Sequence, residues 1–149
     1  MYGNTNIVEA RNEAHGYSKL YQSTRSIPLW GIDHFNQQKH IILTEGAFEA
    51  ESINQLQIPD VLAVSSYKAS FSMAQLYLMV AISVKSRMYT AFNQDRAGIE
   101  NTQRMIRMCE KKFSKAIDII EIIRNDLNSV LVRDGKIKLR ELVCQQLIL

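Results

Sequence analysis

The chain has 149 residues, enough for one domain with its own core, and its 46% hydrophobic and 22% charged content is that of an ordinary globular protein. A net charge of +3 is compatible with nucleic-acid or nucleotide partners but too mild to identify one. Cys109 and Cys144 stand alone, which argues against a zinc ribbon or finger, and no apolar run approaches the roughly 18 residues of a membrane span. Few cysteines and no signal-peptide pattern point to a reducing cytoplasm and to no membrane partner.

Residues 1–30 are polar, punctuated by Gly3, Gly16 and Pro28, and read as a mostly irregular lead-in with a short helix near 8–14. Residues 30–36 form a short helix or turn around Trp30 and Phe35. A first strand is expected over 41–44 and a helix over 46–56, where Ala47, Phe48, Ala50, Ile53 and Leu56 give a helical stripe that Pro59 ends. A second strand spans 61–64. The following helix, 70–84, is apolar nearly all round and is expected to be well buried.

A third strand covers 87–92 and a third helix 98–113, with Thr102, Met105, Ile106, Cys109 and Phe113 on one face. Residues 116–123 read as a fourth strand, interrupted by Asp118 and Glu121. Asp126 caps a short helix reaching about 132, Asp134 and Gly135 make a turn, and 136–149 form a last amphipathic helix. Its apolar positions are Ile137, Leu139, Leu142, Val143 and Leu147. Strand–helix alternation implies an α/β fold with a mostly parallel four-stranded sheet, right-handed crossovers and flanking helices.

Two stretches carry chemistry. Residues 40–51, HIILTEGAFEAE, bring a buried strand to an acid, Glu45, with Gly46 allowing a tight turn and Glu49 one turn into the next helix. In open α/β sheets ligands sit beyond the carboxyl ends of the strands, where Glu45 falls. Residues 87–98, RMYTAFNQDRAG, deliver Asn93 and Asp95 from a second strand. Oxygen donors from two strand ends suit Mg²⁺, which favours such sites and keeps several waters. Taken alone, Glu45 also reads as a charge at the positive end of a helix, and Asp95 as a helix cap. His15, His34 and His40 have no ligand spacing and read as surface or loop residues, and no Ser-His-Asp or phosphate-loop pattern is present.

The order EGAFE, FNQDRAG and the late NDLNSVL resembles the Toprim domain, a Rossmann-like fold shared by DNA primases, topoisomerases and some small nucleases, and is most similar to the primases. The resemblance spans about 31–135, with 1–30 a lead-in and 136–149 a helix packed on the domain. It implies Glu45 and Asp95 as catalytic acids. It also implies Glu45, Glu49, Asn93, Asp95 and Asp126 as the surroundings of Mg²⁺ or Mn²⁺. Lys68, Arg96 and Arg104 would then bind nucleotide or DNA phosphates. The implied activity is metal-dependent synthesis of RNA primers on single-stranded DNA from nucleoside triphosphates during replication, in bacterial or phage-infected cytoplasm. A small Toprim nuclease and a catalytically silent binding module are the alternatives.

The chain departs from the family pattern in four places. Asn93 stands where primases carry Asp, keeping one carbonyl oxygen but losing a full charge. Glu49 replaces an Asp, and Ser65-Ser66-Tyr67-Lys68 replaces a Gly-Thr turn. The zinc-binding module and the amino-terminal basic subdomain usual in such primases do not read in these 149 residues. The expectation is therefore a fragment, a protein completed by a separate primase subunit, or a small protein that recruits a replicative helicase.

Overall fold

The computed structural model describes residues 8–12, 17–21, 29–67, 71–92, 96–113, 119–121 and 127–147. Near the amino terminus, β1 (Val8–Asn12) pairs antiparallel with β2 (Tyr17–Tyr21), Val8 opposite Tyr21 and Asn12 opposite Tyr17. The expected irregular segment and short helix are thus replaced by a hairpin. Val8 and Ala10 alternate with Glu9 and Arg11, a period of two that five residues are too few to tell from a helical stripe.

Four further strands make one sheet: β3 (His40–Thr44), β4 (Val61–Ser65), β5 (Arg87–Ala91) and β6 (Ile119–Glu121). Their order is β4-β3-β5-β6, and every pairing is parallel. The expected fourth strand is confirmed for 119–121, and Asp118 lies outside the described residues. β3 is buried along its whole length, as a strand covered on both faces must be.

Four helices cover the sheet: α1 (Ala47–Asn54), α2 (Met73–Ile82), α3 (Arg96–Phe113) and α4 (Leu127–Gln146). Alternation along the strands splits the core in two. Ile42 and Tyr89 pack with Ala50 and Ile53 of α1 and with Leu127, Val130, Leu139 and Val143 of α4. Ile41, Leu43, Met88 and Phe92 pack on the other side with Leu76 and Met79 of α2 and Met105 and Cys109 of α3. The expected turn at Gly135 is a break in α4, with φ 82 and ψ 170, a backbone that glycine takes without a Cβ clash.

Three expectations about side chains fail. The outer face of α2 is exposed, with Tyr77 62% and, just beyond the helix, Val84 70% accessible, because the sheet and α3 cover only part of its surface. Ile137 is 79% accessible, while Leu139 and Val143 further along the helix carry the burial. His40 is not a surface residue. It starts β3, is buried, and its Nδ1 lies 3.0 Å from the Tyr89 hydroxyl.

At one edge of the sheet lies β4, whose outer backbone groups would invite another strand if left unpaired. Asn54 at the end of α1 satisfies both groups of Ala63: its amide donates to the carbonyl at 3.0 Å and its Oδ1 accepts from the N–H at 2.8 Å. Trp30 does the same for Ser65 through paired backbone bonds of 2.8 and 3.1 Å. This edge is closed at Ala63 and Ser65.

Candidate functional site

The site grows from the carboxyl ends of β3 and β5. These strands are adjacent and end in register, Thr44 opposite Ala91, so the chain leaving each emerges at the same sheet edge. Glu45 is the first residue after β3 and is half-buried. Gly46 precedes α1 with φ −114 and ψ 155, an extended conformation open to any residue. The tight-turn reason for a glycine therefore does not hold. The reason is space: a Cβ on Gly46 would collide with the carboxylate of Glu49, which folds back over the bare Cα. Glu49 lies in the first turn of α1, where unsatisfied N–H groups favour negative charge.

Hydroxyls from the strand ends hold this loop. Thr44 Oγ1 donates to the Gly46 carbonyl at 2.9 Å and also lies 3.3 Å from the Val64 carbonyl. Ser65 Oγ donates to the Glu45 carbonyl at 3.0 Å and accepts from the Tyr67 N–H at 3.0 Å. Ser72 caps α2 in a reciprocal box with Gln75, and the Gln75 amide reaches back to the Ser66 carbonyl at 3.1 Å. Sequence reasoning gave no role to Thr44, Ser65 or Gln75. The S-x-x-Q spacing of the cap was readable, whereas the partners of Thr44 and Ser65 follow only from the strand pairing.

Of the expected site residues, Glu45 follows β3 directly and Glu49 lies in the first turn of α1 with its carboxylate against Gly46. Arg96 opens α3, is highly exposed, and pairs with Glu100, Nε to Oε1 at 2.7 Å. Arg104 is exposed two turns further on, on an outer surface that also carries Arg107 and Lys111. Lys68, Asn93, Asp95 and Asp126 lie outside the described residues. Close to Asp126 in sequence, Asn128 is bound by Ser52 Oγ of α1 at 3.4 Å, so the start of α4 rests on the helix that carries Glu49. Among the described residues no three His, Cys, Asp or Glu side chains form a metal-binding group. The Cys109 thiol is buried in the α3 core, and burial together with Glu110 raises its pKa, which leaves it a packing residue. No helix among the described residues is long and apolar enough to cross a membrane.

A parallel α/β sheet that presents an acid-Gly loop at the end of one central strand, beside the end of its neighbour, is the architecture of a Toprim domain. A family model described as Toprim-like (Toprim_2) matches residues 42–131, more than half of the chain, and the chain belongs to that family. Solved primase structures share the fold. The primase fragment of the bacteriophage T7 primase-helicase protein is 19% identical with a TM-score of 0.67, covering 91% of this chain and 56% of that one. The Aquifex aeolicus primase, with its zinc-binding and RNA polymerase domains, is 18% identical with a TM-score of 0.62, covering 91% and 34%. A DnaG primase catalytic domain bound to single-stranded DNA is 16% identical with a TM-score of 0.58, covering 78% and 38%. The chain thus spans about a third to a little over half the length of these structures. No curated protein matches it.

Proposed function

We propose that this chain is the catalytic Toprim domain of a DNA primase, joining ribonucleotides on a single-stranded DNA template. The observation that carries the reading is the β3–α1 loop: Glu45 at the strand end, followed by a glycine kept bare so that the Glu49 carboxylate lies against it. Two acids four residues apart at the start of α1, one with its carboxylate folded back towards the strand end, suit a divalent cation. Asn93 and Asp95, a few residues beyond the end of β5, are proposed to complete the oxygen set with Glu45 and Glu49, and Asp126 to stand near it. Mg²⁺ or Mn²⁺ held there would supply charge neutralisation for a nucleoside triphosphate.

Besides holding the cation, the chain's own groups have two tasks. Glu45 takes the proton of the primer 3′-hydroxyl as its oxygen bonds to the α-phosphorus. The bond from that phosphorus to the bridging oxygen breaks, and pyrophosphate leaves. Lys68, Arg96 and Arg104 bind phosphates of nucleotide or template, for which Arg96 exchanges its exposed pairing with Glu100. A replicative helicase or a second primase subunit is the proposed protein partner, in the cytoplasm.

A binding-only module is the second reading, favoured by one observation: Asn93 removes a charge from the proposed cation site. The test incubates the protein with single-stranded DNA, labelled ribonucleoside triphosphates and Mg²⁺ or Mn²⁺, with and without a helicase partner. Template-dependent ribonucleotide incorporation that Glu45→Gln abolishes is the expected result. DNA cleavage without triphosphates would replace the reading by a nuclease, and template binding with neither reaction would replace it by the binding module.

A further inference from the structure

The Glu45 loop is held by two hydroxyls whose partners are backbone carbonyls. The peptide between Glu45 and Gly46 is fixed by Ser65 Oγ, and the next peptide by Thr44 Oγ1. These two successive planes set the direction in which the loop leaves β3. Ser65 uses the same oxygen twice, accepting from the Tyr67 N–H while donating to Glu45. It therefore ties the first residue of the β3–α1 loop to the turn that follows β4 and leads towards Lys68.

The turn is anchored on other sides as well. The Ser66 N–H donates to the Thr44 carbonyl at 3.3 Å, and Gln75 of α2 holds the Ser66 carbonyl. Tyr67 is buried with φ 60, a left-handed conformation that is uncommon for a bulky residue with a Cβ. Thr44 and Ser65 are both fully buried, so neither hydroxyl has water as an alternative partner.

We infer that Thr44 and Ser65 are positioning residues for Glu45, with Ser65 locking the acid-bearing loop to the turn after β4. This rests on the proposed cation site. Groups that orient a metal ligand without touching the metal commonly change affinity by about 10-fold or more when removed. A purely structural role would lower the melting point and leave cation affinity alone.

The test is Mn²⁺ titration of the full chain, followed by the paramagnetic resonance signal of free Mn²⁺, beside thermal unfolding of the same samples. Thr44→Val keeps the shape and removes the hydroxyl, Thr44→Ser keeps the hydroxyl, Ser65→Ala removes the shared oxygen, and Glu45→Gln is the control. Expected are an affinity loss of about 10-fold in Thr44→Val and Ser65→Ala, and Thr44→Ser within about twofold of wild type. If Ser65→Ala does not fold, the Val and Ser pair at Thr44 decides. Unchanged affinity in Thr44→Val, or equal losses in Thr44→Val and Thr44→Ser, overturns the positioning role while a loss in Glu45→Gln keeps the cation site. No loss in Glu45→Gln overturns the cation site and the positioning role together.

Discussion

At the scale of single residues, Gly46 shows how a small side chain serves a larger one. Its backbone is extended and accepts any residue, yet its Cα faces the Glu49 carboxylate. Gly46→Ala is expected to push that carboxylate aside. The displaced group is the end of a flexible side chain, so stability changes by no more than about 1 kcal/mol, in line with ordinary Gly-to-Ala effects. Divalent-cation affinity is expected to fall, and titration beside a melting curve checks both. Thr90 is a different case: it is fully buried, and its Oγ1 has no hydrogen-bond partner among the described residues. Thr90→Val keeps the shape and removes the unmet polar group. It is expected to stabilise by about 1 kcal/mol, read as a rise of about 2–4 °C in Tm.

His40 gives the fold a pH dependence. Burial holds its imidazole below the usual value, Arg87 pushes the same way, Asp60 opposes and Lys39 adds a smaller push downward. A base with a depressed pKa in the folded state binds fewer protons there than in the unfolded chain. Its effect is absent above the ordinary value of about 6.5, and stability is lost as pH falls below it until the folded pKa is passed. Denaturant midpoints measured from about pH 7.5 down to about pH 5 are expected to fall below about pH 6.5, and His40→Gln to flatten that part of the curve.

At the scale of elements, α3 carries the phosphate-binding expectation. Arg96 and Arg104 lie on its exposed side, with Arg107 and Lys111 beyond them. Replacing Arg96 or Arg104 by Gln is expected to lower single-stranded DNA affinity and to reduce the salt slope by about 0.7 for each phosphate that is no longer neutralised. An unchanged slope places the DNA path elsewhere. Most of the four parallel strands and their helices were legible because the buried strands are mainly apolar stretches bounded by turn residues: Ile41-Ile42-Leu43, Val61-Leu62-Ala63-Val64 and Arg87–Ala91 all stand in the sheet. The β1–β2 hairpin was not legible, since five residues separate poorly into periods of two and 3.6. The exposure of Tyr77 and Ile137 was hidden for another reason: an apolar position names a preference for burial, and only the neighbouring elements decide whether it is met. Glu45 and Glu49 were readable from order and spacing. Thr44 and Ser65 were not, because their partners lie across the strand pairing.

At the scale of the whole molecule, the sheet order β4-β3-β5-β6 puts β3 and β5 at the centre. The β4 edge is closed by Asn54 and Trp30. Helices cover both faces, and β3 and β5 end in register at the same edge. That arrangement belongs to the Toprim-like family, and the proposed primase chemistry needs it to gather oxygen ligands from β3 and β5 around one cation. Calorimetric Mg²⁺ titration of wild type, Glu45→Gln and Asn93→Asp tests that cation site most directly. Glu45→Gln is expected to weaken binding and Asn93→Asp, by restoring a carboxylate, to tighten it, with Mn²⁺ bound more strongly than Mg²⁺ throughout. Mg²⁺ affinity unaltered in both variants would contradict the cation site and, with it, the enzymatic reading.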